Sequence, residues 1–221
     1  MATKINRVNI APLSAATAER WRSVPVTILS DVTAGRVVPD PRIRPLQPFS
    51  PGRRVVGPAV TAWCERGDFG AMLHALDIAP ARSIVVADAG GCLQTAYAGE
   101  ILCGYARAKG IAGLIVNGAM RDIDTIAAWD DFCAFALGNT ARGPLSKERG
   151  AVNVPIVFGG VSVQPGDIVV ADNDGLAIVP LAEASDVLEA GLQRVSAEAA
   201  WQAELGKGRS LVDVFAVPEA I

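Results

Sequence analysis

The chain has 221 residues, 51% of them apolar and 19% charged, with a net charge of −3. That length predicts one domain, and the apolar share excludes a disordered or supercharged chain. The acidic balance argues against nucleic-acid binding, which calls for a basic surface. The one histidine, His74, excludes a multi-histidine zinc centre within one chain. Any Ser-His-Asp or Cys-His mechanism would have to use it. A metal would therefore take mostly oxygen ligands, which favours Mg²⁺, Mn²⁺ or Ca²⁺.

The four cysteines (Cys64, Cys92, Cys103 and Cys133) form no CxxC pair and read as free buried thiols of a reducing compartment. Met1 to Trp21 lacks the basic-then-apolar pattern of a signal peptide. No run approaches the ~18 apolar residues of a membrane span. These features predict a soluble, cytoplasmic protein with no membrane association.

In chain order, a helical segment is expected over Ser14–Gly35, within an N-terminal part of residues 1–35. Pro39, Pro41, Pro45, Pro48 and Pro51 remove donor N–H groups and predict an extended surface connection over 36–53. The core, 54–180, opens on a β-branched strand, Val55–Trp63. Asp68 caps a helix over Phe69–Ala79, which Pro80 ends. Ser83–Ala87 reads as a short buried strand followed by the glycine-rich loop Asp88-Ala89-Gly90-Gly91.

Gly99–Lys109 reads as a helix with Gly110 as its stop. Leu114–Val116 is a buried strand followed by a loop, and Phe132–Leu137 a further strand. Turn signals at Gln164-Pro165-Gly166-Asp167 and Asp172-Asn173-Asp174-Gly175 predict a β-meander across Val154–Val179. An Ala- and Glu-rich helix should run from Leu181 to Leu205 and end at Gly206 and Gly208, within a C-terminal part of residues 181–221. The expected architecture is a single α/β domain with a parallel βαβ portion, an antiparallel portion and a C-terminal helix.

Chemistry concentrates between Ser83 and Asp124. A strand-helix-strand crossover makes its strands parallel, and ligands bind outside the carboxyl ends of such strands. Two segments converge there: Asp88 to Glu100, and Asn117-Gly118-Ala119-Met120-Arg121-Asp122. The amides of Ile101 and Leu102, at a helix N-terminus, favour an anion. Arg121 can grip a carboxylate through two parallel hydrogen bonds. Asp122 and Glu100 are hard oxygen ligands for Mg²⁺. Together they would hold a 2-oxo acid. A plainer reading stands beside this one: Arg-Asp is a common dipeptide, and Glu100 suits a first helical turn through dipole compensation alone.

The same residues carry a family resemblance. Ala98-Gly99-Glu100-Ile101-Leu102 followed by Gly113-Leu114-Ile115-Val116-Asn117-Gly118-Ala119-Met120-Arg121-Asp122 resembles the RraA-like family. That family includes the 4-hydroxy-4-methyl-2-oxoglutarate / 4-carboxy-4-hydroxy-2-oxoadipate aldolases. Val152-Asn153-Val154-Pro155, Phe158-Gly159-Gly160-Val161 and Pro165-Gly166-Asp167 extend the match across Ser30–Val212. The family's aldolases carry an Asp, twenty intervening residues and then Arg-Asp. Here Glu100 stands at the first position, one methylene longer, ahead of Arg121 and Asp122 at the same spacing.

The resemblance implies a three-layer β/β/α swivelling-type fold and a trimer or hexamer (a dimer of trimers) with sites between subunits. It implies that Arg121 binds the pyruvyl carboxylate and stabilises the enolate oxygen. Asp122 would ligate Mg²⁺ (or Mn²⁺) directly, and Glu100 would act through metal-bound water. Gly99 and the amides of Ile101 and Leu102 would line the carboxylate site, and Glu198 of a neighbouring subunit would support the metal. The implied activity is class II aldolase cleavage of a 4-hydroxy-2-oxo di- or tricarboxylic acid to release pyruvate, with oxaloacetate decarboxylation beside it. The family's namesake, which inhibits an RNA-degrading endonuclease by binding it, offers a non-catalytic alternative. Another 2-oxo acid decarboxylase or isomerase using the same site is a third.

Other features read more plainly. His74 falls on an amphipathic helix and suits packing, or support of groups that touch a ligand, rather than catalysis. Cys92 and Cys103 suit apolar filling rather than thiol chemistry. Asp172-Asn173-Asp174-Gly175 suits a tight turn rather than a calcium loop, since Val170 stands where the EF-hand pattern needs an acid. Trp201 and Glu204 suit subunit packing. Arg142, Lys147 and Arg149 form a basic loop that either reaches an extra substrate carboxylate or is a solvated turn.

Overall fold

The computed structural model describes residues 2–218. Its centre is four parallel strands: β3 (Val55–Trp63), β4 (Ile84–Ala98), β5 (Gly113–Met120) and β6 (Cys133–Asn139). The short strands β1 (Lys4–Ile5) and β7 (Ala151–Val152) extend the sheet beyond β3, and β2 (Arg44–Pro45) closes the other edge against β6. Helices α3 (Gly70–Ile78) and α4 (Glu100–Ala108) supply the crossovers, and a short α5 (Ile123–Ala127) follows β5.

Strand pleating explains why these segments are apolar almost throughout. Successive side chains face opposite sides, and both sides here are covered. Val85, Ala87, Leu114, Val116, Ala134 and Ala136 pack toward α3 and α4. Ile84, Val86, Ile115, Cys133 and Phe135 face the opposite core, formed with β8 (Ile156–Phe158), β9 (Val161–Val163), β10 (Ile168–Asp172) and β11 (Gly175–Val179).

β3 passes from one sheet region into the next. Its second half pairs parallel with β4, whereas Val55–Pro58 pairs antiparallel with β10. The expected meander is thus divided. β10 and β11 form a hairpin on β3, and β8 and β9 form a separate two-stranded sheet. The outer faces of β10 and β11 pack against α1 (Ala15–Arg22), α2 (Val26–Val32) and α6 (Ala184–Gly206) through Val24, Leu29, Val170, Val179 and Leu188. A last short helix, α7 (Leu211–Val214), lies beyond α6, where Phe215 stacks on Trp201 with ring centroids 5.0 Å apart.

Local chemistry accounts for the element ends. Ser14 Oγ accepts the Thr17 amide at 3.0 Å and starts α1. The expected N-terminal helix is split between Ser23 and Pro25, because proline cannot donate and restricts the residue before it. The proline-rich connection is more than surface. Arg44 and Pro45 serve as an edge strand, where a missing N–H is tolerated. Ile43 and Phe49 are buried, and Phe49 meets Phe135 edge-on at 5.9 Å. Asp172 and Asn173 hold the β10–β11 turn to neighbouring segments. Asp172 accepts the Val26 amide at 3.0 Å, and Asn173 bonds both backbone groups of Phe49. A tight turn, as the sequence suggested, uses these groups.

Asp68 is fully buried and does more than start α3. Its carboxylate accepts the Gly70 amide at 2.8 Å and the Glu148 amide at 3.2 Å, tying down the 146–149 loop. Burial pushes its pKa up, but bonds from the Ser146 hydroxyl and the Gly70, Arg149 and Glu148 amides outweigh it and hold the value at about 2. A depressed folded-state pKa stabilises the fold above the unfolded value near 4 and ceases to as pH falls through about 2. Asp68→Asn should therefore cost about 1–3 kcal/mol at neutral pH by disturbing buried bonds. In thermal melts, its deficit against the parent should shrink between about pH 4 and pH 2.

Candidate active site

The last paired positions of β4 and β5 are Ala98 and Met120. The Arg121 amide continues the ladder by donating to the Ala98 carbonyl at 3.1 Å. This pairing brings Gly99-Glu100 beside Arg121-Asp122, although twenty residues of helix and strand separate them in sequence. Neither segment reaches this edge as a free loop. The stretch after Asp88, expected to be a loop, stays in β4 through register shifts at Asp88/Cys92 and Cys92/Ala96. Gly90 and Gly91 take φ of 59° and 71°, values glycine reaches without steric cost. Such bulges insert residues while keeping the strand paired. β5 likewise runs to Met120 instead of stopping at Val116.

Gly99 is placed here for clearance. A Cβ at this position would stand 2.4 Å from Asp122 Oδ2 and 2.8 Å from Arg121 Cγ. Asp122 has a φ of 58°, a left-handed conformation that aspartate and asparagine tolerate better than most residues. That turn sends its carboxylate back over the start of α4, where Oδ2 accepts the Glu100 amide at 3.0 Å. A residue remote in sequence thus caps α4, whose own preceding residue, Gly99, has no side chain to do so. Among the described residues, the Ile101 and Leu102 amides have no acceptor.

Arg121 Nε lies 3.6 Å from Asp122 Oδ2, and both side chains are 40% exposed. Glu100 is exposed one residue past Gly99. Two depressions, of about 270 and 380 Å³, meet at Arg121 and Asp122. The first is walled by Phe69, Tyr97, Ile101, Leu102 and Pro144, the second by Asp124, Asn139 and Thr140. The fold therefore gathers Gly99, Glu100, Ile101, Leu102, Arg121 and Asp122 at one solvent-open edge.

Other candidates lie elsewhere. Glu198 is on α6, bonded to Arg194 at 3.0 Å, and α6 lines neither depression. Trp201 stacks under Arg194, and Glu204 bonds Lys207 and Arg209, all within the chain. His74 is exposed on α3 rather than packed. Arg149 is committed to Glu65 at 2.7 Å and Asp68 at 3.4 Å, so it does not extend toward Arg121.

Among the described residues, no group of three or more His, Cys, Asp or Glu is assembled to hold a metal. The donor chemistry nevertheless suits a hard divalent cation. Glu100 and Asp122 present carboxylate oxygens, and Mg²⁺ is commonly held by one or two carboxylates while keeping waters.

The cysteines differ in one instructive way. Burial pushes Cys64, Cys103 and Cys133 up to about 12. Burial also pushes Cys92 upward, but bonds from the Gln94 and Thr95 amides and the Tyr97 and Thr95 hydroxyls bring it down to about 7. The thiolate is the reactive form. Cys92 should thus be the first of the four thiols alkylated by iodoacetamide, with a rate rising through about pH 7. Mass-spectrometric mapping of the modified peptide checks the order.

The model of the RraA-like family, described as Aldolase/RraA, matches residues 25–178. A relative from Halalkalibacterium halodurans, provisionally named 4-hydroxy-4-methyl-2-oxoglutarate aldolase, is 37% identical over 170 residues, 77% of this chain and 79% of its own. A solved structure of an uncharacterized protein from Pseudomonas syringae superposes with a TM-score of 0.81 at 26% identity, covering 96% of this chain and 99% of that one. The RNA-processing inhibitor RraA from Thermus thermophilis aligns with a TM-score of 0.62 at 30% identity, covering 71% and 92%. The chain belongs to the RraA-like family, an α/β class in which some relatives bear aldolase names and one solved member is called an inhibitor of RNA processing.

Proposed function

We propose that the chain is a divalent-metal-dependent carbon–carbon lyase that cleaves a 4-hydroxy-2-oxo di- or tricarboxylic acid and releases pyruvate, with oxaloacetate decarboxylation as a second activity of the same site. The observation that supports this reading is the convergence of Arg121, Asp122, Glu100 and two unengaged amides at one open edge. An arginine and free helix amides suit a carboxylate. A surface that only bound another protein would have no need of this set.

In this reading Arg121 and the Ile101 and Leu102 amides hold the substrate carboxylate. Asp122 would hold Mg²⁺ or Mn²⁺ directly and Glu100 through bound water, with Glu198 of a neighbouring subunit of a trimer or hexamer completing the site. Bound there, the cation would polarise the 2-oxo group and lower the cost of negative charge on it. Glu100, acting through bound water, takes up the proton of the 4-hydroxyl as the C3–C4 bond breaks. The bonding electrons pass into the 2-oxo group as an enolate, and the carbonyl product leaves. The Arg121 guanidinium, fixed before reaction, offsets the enolate charge. Protonation at C3 then yields pyruvate. Such chemistry suits a cytoplasmic enzyme. Among the described residues, no helix is long and apolar enough to cross a membrane.

The test follows pyruvate by coupling to lactate dehydrogenase, with 4-hydroxy-4-methyl-2-oxoglutarate and oxaloacetate as separate substrates. Turnover should require added Mg²⁺ or Mn²⁺ and fall to background with EDTA. Turnover that EDTA leaves untouched would remove the metal from the proposal.

A further inference from the structure

We propose that the groove between the N-terminal arm and the end of α3 is a second ligand site. It would take a small organic anion with an apolar body and an N–H or O–H donor at its far end. The groove has a volume of about 670 Å³, within the range of small-molecule sites. It lies on the β7 side of the sheet and shares no residue with the two depressions that meet at Arg121. The inference therefore stands apart from the lyase reading.

Asn153 is the residue that points to a ligand. It follows β7 directly, in a left-handed conformation with φ 55°. It lines the groove, is 3% exposed, and its Oδ1 has no hydrogen-bond partner. Buried polar atoms are paired in the great majority of cases. The backbone of Asn153 is already engaged. Its amide donates to the Thr61 carbonyl at 2.8 Å, and its carbonyl accepts Asn6 Nδ2 at 3.1 Å, which ties the arm down beside the groove. The side-chain oxygen is what remains, and it calls for a donor.

The rest of the lining sets the other features of the ligand. Ile10, Val60, Ile78 and Pro80 offer apolar surface to its body. Among the described residues, no Asp or Glu lines the groove, and Arg7 is its one cation. Arg7 is exposed and pairs with no carboxylate among the described residues. A guanidinium can hold a carboxylate through two parallel hydrogen bonds. An anion without a donor would leave Asn153 Oδ1 buried and unpaired behind it, which is unfavourable.

Titration calorimetry of the full chain tests the site with three probes of one shape. The probe 3-(4-hydroxyphenyl)propanoate carries the anion, the apolar ring and the donor. The second, 3-phenylpropanoate, lacks the hydroxyl, and 3-(4-hydroxyphenyl)propanamide lacks the charge. The first should bind at least about fivefold more tightly than the second, as one satisfied hydrogen bond allows. It should bind at least about tenfold more tightly than the third, through the charge-assisted pair. Asn153→Gly keeps the left-handed backbone and both backbone bonds, and should bring the first two probes to equal affinity. Arg7→Ala, at an exposed position, should weaken the first probe about tenfold, and it keeps the test open whatever Asn153→Gly does to the fold. Arg121→Ala should leave that affinity unchanged. Binding lost in Arg121→Ala would place the acid at the edge already described and overturn this site. Failure of the first probe to bind, equal binding of the first two by the parent, or binding indifferent to Arg7→Ala or to a folded Asn153→Gly would overturn it as well.

Discussion

Arg121→Ala should lower kcat/KM for pyruvate release by about 10²–10³-fold, the usual loss on removing one fixed donor to a developing anion, while the melting temperature stays that of the parent. The stability half of this outcome follows from the geometry. The ladder bond at this position belongs to the backbone, through the Arg121 amide and the Ala98 carbonyl. The side chain's ion pair with Asp122 is long, at 3.6 Å, and 40% exposed on both sides. Such surface pairs contribute about 0–1 kcal/mol. The activity half follows from charge. Arg121 is the cation shared by the two depressions, so on the proposed reading alanine would leave the substrate carboxylate with backbone amides alone. Steady-state kinetics beside a thermal melt separate the two effects. A variant with parental kcat/KM would show the arginine to be a surface residue of no catalytic consequence.

Asp122→Asn distinguishes a structural role for the carboxylate from a chemical one. In the fold, Asp122 Oδ2 caps α4 through the Glu100 amide at 3.0 Å, and its backbone is left-handed at φ 58°. Asparagine keeps an oxygen acceptor and tolerates that backbone. The variant should therefore melt within about 0.5 kcal/mol of the parent, as substitutions that spare such features do. Asp122→Ala, which removes the acceptor, should lose about 0.5–2 kcal/mol, the usual cost of a lost helix cap. Both variants remove the negative charge that would hold a divalent cation. Both should lose at least about 10²-fold in Mg²⁺-dependent pyruvate release, the loss expected when charge stabilisation in the reaction is removed. An Asn variant as active as the parent would assign Asp122 to helix capping alone.

The sequence was most informative where one residue type suffices to set local conformation. Val55–Trp63, the helix over 70–78 and the long helix after Leu181 were legible, because β-branched runs, capping groups and Ala-rich stretches act within a few residues. Gly99, Glu100, Arg121 and Asp122 were legible as a set, since a strand-helix-strand crossover returns the second strand parallel to the first. That topology puts both strand ends on one edge. Spacing and residue type alone left open whether Glu100 served chemistry or merely the helix dipole. Arg149 illustrates the same limit. Its membership of a basic loop was visible, but its commitment to Glu65 and Asp68 depends on residues some 80 positions away.

Three features were decided by tertiary structure. The glycine-rich stretch after Asp88 stays in the sheet because neighbouring β5 supplies ladder partners at Cys92, Ala96 and Ala98, which no local signal announces. The proline-rich connection becomes an edge strand because β6 presents a free edge beside it. The cap of α4 comes from Asp122, twenty-two residues downstream, and exists because the Ala98–Met120 pairing ends where it does. By itself the sequence determined the order of elements, the burial of both sheet faces and the identity of the charged groups at the edge. Backbone propensity and pleat periodicity operate over a few residues, and side-chain chemistry is intrinsic. Which groups are already engaged, which amides are left without an acceptor, and how apolar the space beside Arg121 is were settled only by packing. They depend on distances between segments that are far apart along the chain.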